Sequence, residues 1–185
     1  MKVKSMAYVG MFAAILAVLG QIAPIPLPFS PTPITLQTLG VMLAGTMLGS
    51  RLGTTSILVF LGIIAVGFPG LSGGRGGLEV FVGPTGGYLI GWVVGAFVIG
   101  LIIEKAKQKN IYTFFTASII GGMIIMYAFG IPFQAFITNI GLKETAISSL
   151  VYIPGDLIKV ILASVLAQRL YNTKAIVLPI KEQTY

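Results

Sequence analysis

Cysteine and histidine are both absent, and only five residues are acidic. These absences exclude disulfides, thiolate nucleophiles, imidazole catalysis and most transition-metal sites. They leave little material for hydrolytic chemistry, so neither an enzymatic activity nor a cofactor is expected. Charge of either sign is scarce. Of the 185 residues 9% are charged and 56% hydrophobic, with a mean hydropathy of +0.97. That balance is foreign to a soluble domain and belongs to an integral membrane protein. The net charge of +7 does not point to nucleic acid. The cations stand singly, in pairs or in one lysine-rich cluster between apolar runs, not along one basic face.

What is present is a series of apolar runs. A spanning helix needs roughly 20 apolar residues, and six runs qualify or come close: about 6–23, 34–48, 54–68, 86–103, 112–131 and 154–170. They are continuously apolar and do not alternate, which disfavours a β-barrel. The first stops at "PIPLPFSPTP", where five prolines in ten residues forbid a helix. A basic start followed by an apolar run imitates a signal peptide. The weak small-residue cleavage site in "GQIAPIPLPFSP" favours a retained first helix. The fold expected is therefore all-α, one membrane domain over 1–185 with six transmembrane helices.

Cations orient such a bundle. With the N-terminus cytoplasmic, nine of the twelve fall inside: Lys2, Lys4, Arg51, Lys105, Lys107, Lys109, Arg169, Lys174 and Lys181. Outer loops carry only the neutral sets Arg75 with Glu79 and Lys143 with Glu144, so both termini are expected in the cytoplasm. The outer connections are long, rich in glycine and proline, and hold Phe29, Phe68, Phe81, Val82 and Phe133. Disordered loops are polar, so these are expected to fold back as a lid over a ligand pocket.

Lys159 is the cation that topology does not place. It follows Asp156 by three positions in "YIPGDLIKV". A carboxylate in a first helical turn, after Pro154 and Gly155, is ordinary. An ammonium there meets an unfavourable dipole and costs about 2.5–3.5 kcal/mol inside a bilayer, so the pair is a candidate ligand site. The loop "GGRGGLEVFVGPTGGY" lacks the G-K-[ST] ending of a phosphate loop. Its Arg75 is a candidate anion receptor, or else a solvated partner of Glu79. In "TPITLQTLGVMLAG", Gln37 is the favoured neutral donor and acceptor among Thr32, Thr35 and Thr38. Ala13 and Ala17 form a small-x-x-x-small pair on the first helix, overlapped by Gly10 and Ala14. Trp92 and Tyr152 are expected as interface-belt or core residues.

Together, "TPITLQTLGVMLAG", "GPTGGYLIGW" and "PGDLIKVILA" resemble the BioY family of biotin transporters, the substrate-binding S components of energy-coupling-factor uptake systems. The resemblance covers nearly the whole chain. It implies a multi-pass protein of the bacterial cytoplasmic membrane that binds biotin near the outer face. It also implies a transmembrane coupling protein and two cytoplasmic ATPases as partners. By that resemblance Asp156 and Lys159 match the ligand-contacting pair, and Ala13 and Ala17 the docking signature for the coupling protein. Arg75, which no motif of the family aligns, Gln37 and Tyr88 are expected beside them as further ligand-binding residues. The residues alone leave a second reading open, an autonomous secondary transporter of another small organic anion or vitamin.

Overall fold

The computed structural model describes residues 3–28 and 30–173; Lys2, Phe29, Lys174 and Lys181, named above, lie outside them. The protein is mostly helical. Helix α1 (Val3–Gly20) leads into a two-stranded antiparallel ribbon, β1 (Ile25–Leu27) and β2 (Ser30–Ile34). This corrects the expectation of a purely α protein. Proline is excluded from helix interiors but is tolerated in a ribbon whose strands are both edges.

Helix α2 (Gln37–Ala65) is continuous by hydrogen bonding but not by shape. Twenty-nine straight helical residues would extend about 43 Å. Yet Gln37, at one end, bonds directly to Gly70, five residues past the other. The chain reverses at Gly49, whose φ of 79° lies in the left-handed region that glycine adopts freely. Two antiparallel arms result, residues 37–48 and 50–65. The break falls at the expected "GSRLG", while the outer limits move to Gln37 and Ala65. Strand β2 occupies the residues up to 34, and Gly67, at φ 102°, follows the second arm. Glu104 stabilises the reversal from α4 (Gly86–Lys105): Oε1 accepts from the Ser50 N–H at 2.7 Å and Oε2 from Ser50 Oγ at 2.8 Å. A carboxylate there suits the positive end of the second arm.

Between α2 and α4 lies a loop with one short helical turn, α3 (Glu79–Val82). Helix α4 packs against both arms of α2 and against the next span. Gly91 makes close backbone approach possible: a Cβ there would sit 3.0 Å from Met126 Cα. That next span runs as α5 (Ile111–Ile119), a π-helical turn (Ile120–Ile125) and α6 (Met126–Thr138). It passes the expected end near 131 because Pro132 removes a single helical hydrogen bond, a loss that packed membrane helices tolerate. Its end is at Asn139, in the left-handed conformation. Phe133, expected in a loop, is helical and packs on Gly87.

The connection after α6 contains helix α7 (Leu142–Ser149), bent by 51° from α8 (Tyr152–Asn172). Helix α8 begins two residues before Pro154, which fits in its first turn. Among the described residues four stretches, α1, α2, α4 and 111–138, are long and apolar enough to cross a membrane, and the bent pair α7–α8 makes a fifth if taken as one span.

A lidded cavity with a buried ion pair

Asp156 and Lys159 stand one turn apart on α8, 5% and 6% exposed, with Lys159 Nζ 2.7 Å from Asp156 Oδ1. Because α8 starts at Tyr152, Asp156 is its fifth residue and not part of the first turn. The carboxylate is therefore not explained by free N–H groups at a helix start. It is held by side chains: Lys159 on one oxygen and the Tyr127 hydroxyl, from α6, donating to the other. Lys159 uses one of its three donors this way among the described residues, and two remain.

The pair borders a cavity of about 640 Å³, counting its open mouth. Its walls bring together all five residues expected at the ligand site, Asp156, Lys159, Arg75, Gln37 and Tyr88. Ile34, Leu71, Leu89, Trp92 and Met126 supply apolar surface. Trp92 is core as well as wall, stacked on Phe60 with centroids 6.5 Å apart.

Arg75 is half-buried on the loop before α3. Its Nε donates to Ser72 O at 3.2 Å, and no carboxylate of the described residues pairs with it; Glu79 is exposed. Burial lowers its pKa from the ordinary value, without threatening the charge of a guanidinium. The solvated Arg75–Glu79 pair is thus not formed.

Gln37 has a different role from the one expected. It is 1% exposed, and its amide is saturated. Nε2 donates to Leu16 O and Gly70 O, both at 3.0 Å, and Oε1 accepts from Ser72 N at 3.0 Å and Ser72 Oγ at 3.1 Å. With two donors and two acceptor positions filled, no capacity is left for a ligand. Gln37 clamps the end of α1 and the Arg75 loop to the start of α2. Gln37→Leu is expected to destabilise the protein by about 1–3 kcal/mol for each buried group left unpaired, read as a lowered unfolding midpoint in detergent.

A second polar network fastens the ribbon β1–β2 over the cavity. Tyr152 OH, on α8, donates to Thr32 O at 2.7 Å and lies 2.5 Å from both Thr32 Oγ1 and Ser30 Oγ. Gln134, on α6, accepts from Thr32 Oγ1 at 3.2 Å and from Tyr88 OH at 3.1 Å. The expected lid is in this respect a latched ribbon, whereas Phe68 and Val82, between α2 and α4, are exposed. Tyr127 and Gln134 escape a reading of hydropathy alone. Gln134 carried a signal, a polar residue inside "PFQAF" beyond the assumed end of the fifth helix.

The small residues of α1 are also redistributed. Buried positions Val9, Phe12, Ala13, Leu16 and Gly20 form the stripe facing the bundle. Ala13 is 5% exposed and belongs to the core, and Ala17 is half-buried against it. The outward face carries Ala7, Gly10 and Ala14.

Apolar helices enclosing a latched cavity, with one ion pair in its wall and apolar side chains around it, define a membrane-embedded solute-binding protein. The BioY family profile matches residues 1–175, and the chain belongs to that family. It is 42% identical over 174 residues to the biotin transporter BioY of Rhizobium etli, covering 91% of this chain and 93% of that protein. It is 45% identical over 167 residues to the probable biotin transporter BioY of Bacillus subtilis, covering 90% of each. Among solved structures, the S-component for biotin from an ECF-type ABC transporter, determined at 2.1 Å, superposes with a TM-score of 0.89 at 40% identity over 92% of each chain.

Proposed function

We propose that this chain is the biotin-binding S component of an energy-coupling-factor transporter in a bacterial cytoplasmic membrane. It captures biotin from outside and is not itself an enzyme. A transmembrane coupling protein and two cytoplasmic ATPases supply the energy for inward release. The chain forms one domain over 1–185 with six membrane crossings, counting the two arms of α2 separately, and both termini are cytoplasmic. The distribution of cations supports that orientation.

The observation that carries the reading is the buried Asp156–Lys159 pair in the wall of an otherwise largely apolar cavity. Biotin has a ureido head with two N–H donors and one carbonyl, an apolar bicycle and chain, and a carboxylate. Asp156 accepts from the ureido nitrogens through its remaining lone pairs, and Lys159 donates to the ureido carbonyl. Tyr88 and Trp92 flank the apolar part, and Arg75 receives the carboxylate beneath the ribbon. Thr38 Oγ1, buried without a hydrogen-bond partner among the described residues, gains one from the ligand, as buried hydroxyls ordinarily have. The small outward residues of α1, Gly10 and Ala14, receive the coupling protein.

Calorimetry on the purified chain, stripped of endogenous ligand in detergent, tests the assignment with biotin, dethiobiotin, riboflavin and thiamine. Tight heat selective for biotin is expected. No heat from a folded sample overturns the assignment.

A further inference from the structure

Tyr127 has no assigned part in recognition, yet it touches the central charge of the cavity. It is half-buried, lines the wall, and its hydroxyl bonds to Asp156 Oδ2. We propose that Tyr127, brought into place by the π-helical turn before it, is the positioning residue that sets the plane in which the Asp156 carboxylate meets the ligand's N–H donors.

Torsion about the bond to a carboxylate is soft and roughly two-fold. Lys159 holds only Oδ1, and it comes from the same helix, three residues on. One donor from one side leaves the plane free to turn about that contact. Tyr127 adds a second donor, on the other oxygen and from another helix. Two donors on separate elements fix the plane, while each oxygen keeps lone-pair capacity for a ligand.

The phase of Tyr127 comes from the wide turn Ile120–Ile125, which ends two residues before it. A π-turn accommodates one extra residue, and each residue advances a helix by about 100°. An uninterrupted α-helix from Ile111 would therefore present residue 127 about a quarter-turn away from Asp156. The turn is gripped by its neighbours. Gly121 packs on Ile99 and on the Gly95 carbonyl, and Gly122 packs on Met42, whose Cε would lie 2.6 Å from an added Cβ.

This inference rests on the reading of the cavity as the biotin site, and the test separates the two. Binding of biotin is measured by calorimetry for the unmodified chain, Tyr127→Phe, Asp156→Asn and the double variant. Tyr127→Phe keeps the ring, and its unfolding midpoint is recorded alongside. The loss expected is about tenfold to a hundredfold in affinity, the usual scale for a hydrogen bond to a charged group. In the Asp156→Asn background the same change is expected to cost less than about twofold, because coupled residues are not additive. As a second readout, biotin methylated on a ureido nitrogen should be discriminated less well by Tyr127→Phe than by the unmodified chain. Gly122→Ala, whose added Cβ would press on both Cε and Cγ of the buried Met42 and so displace the wide turn, should weaken binding when Tyr127 is present and add nothing in Tyr127→Phe. Additive losses, or an unchanged penalty for methylation, overturn the positioning role while leaving biotin binding intact. Absence of biotin binding by the unmodified chain overturns the functional reading itself.

Discussion

Lys159→Ala is expected to weaken biotin binding by about 2–5 kcal/mol, a rise in Kd of roughly 30- to 5,000-fold. Asp156→Ala should do the same. Both side chains are almost fully enclosed and joined at 2.7 Å, so each truncation leaves the partner's charge poorly solvated and without its counter-ion. Lys159→Ala leaves Asp156 with the Tyr127 hydroxyl, whereas Asp156→Ala leaves an ammonium without its carboxylate. The aspartate variant should therefore be the less stable of the two. Loss of one partner of a buried pair costs about 3–5 kcal/mol in stability, so binding has to be separated from folding. The double variant Asp156→Leu/Lys159→Met does this. Replacing a buried pair by apolar residues is often neutral for stability, so the double variant should unfold close to the unmodified midpoint and still fail to bind. Calorimetry and thermal unfolding in one detergent read both quantities. A loss under about 1 kcal/mol in a folded single variant would remove the pair from the ligand site, since a buried charged contact is worth more than that.

Gly10→Leu and Ala14→Leu are expected to reduce cellular biotin uptake to background while leaving biotin affinity of the isolated chain within about twofold, as for surface changes remote from a site. Both residues are on the exposed face of α1, and a side chain added at Gly10 meets nothing within 4 Å. The fold has room for a larger residue at Gly10, but a closely apposed partner helix does not, because small residues are what let membrane helices approach. Ala13→Leu should behave oppositely. Ala13 is buried against the bundle, so overpacking should lower stability by about 1–3 kcal/mol. Uptake assays with the complete transporter, paired with binding and unfolding of the lone chain, distinguish the faces. Normal uptake by both outward variants would place the coupling surface elsewhere.

Much of this protein can be read from the chain in one dimension. Scarce charge and continuous apolar runs determine that it is helical and embedded, because lipid offers no hydrogen bonds to an open backbone. The break at Gly49 and the exceptional pair Asp156–Lys159 were legible for a related reason. A glycine between short apolar runs and a charge within one both stand out against an apolar background. What periodicity and local propensity could not supply was the direction each side chain faces and which distant groups meet. Gln37 and Arg75 share a cavity wall, yet only the folded chain shows the amide saturated by Leu16, Gly70 and Ser72 while Arg75 has no carboxylate partner among the described residues. Ala13 and Gly10 are equally small and three residues apart, and packing against α2 alone sends one inward and the other outward. Tyr127 depends on the phase of a π-turn, and the ribbon's latch joins residues more than a hundred positions apart. Composition and patterning alone specify the solvent in which the chain folds and the rare charges that solvent makes costly. Which polar groups satisfy one another and which stay free for a ligand emerges only on folding, because that outcome depends on long-range contacts that no local pattern encodes.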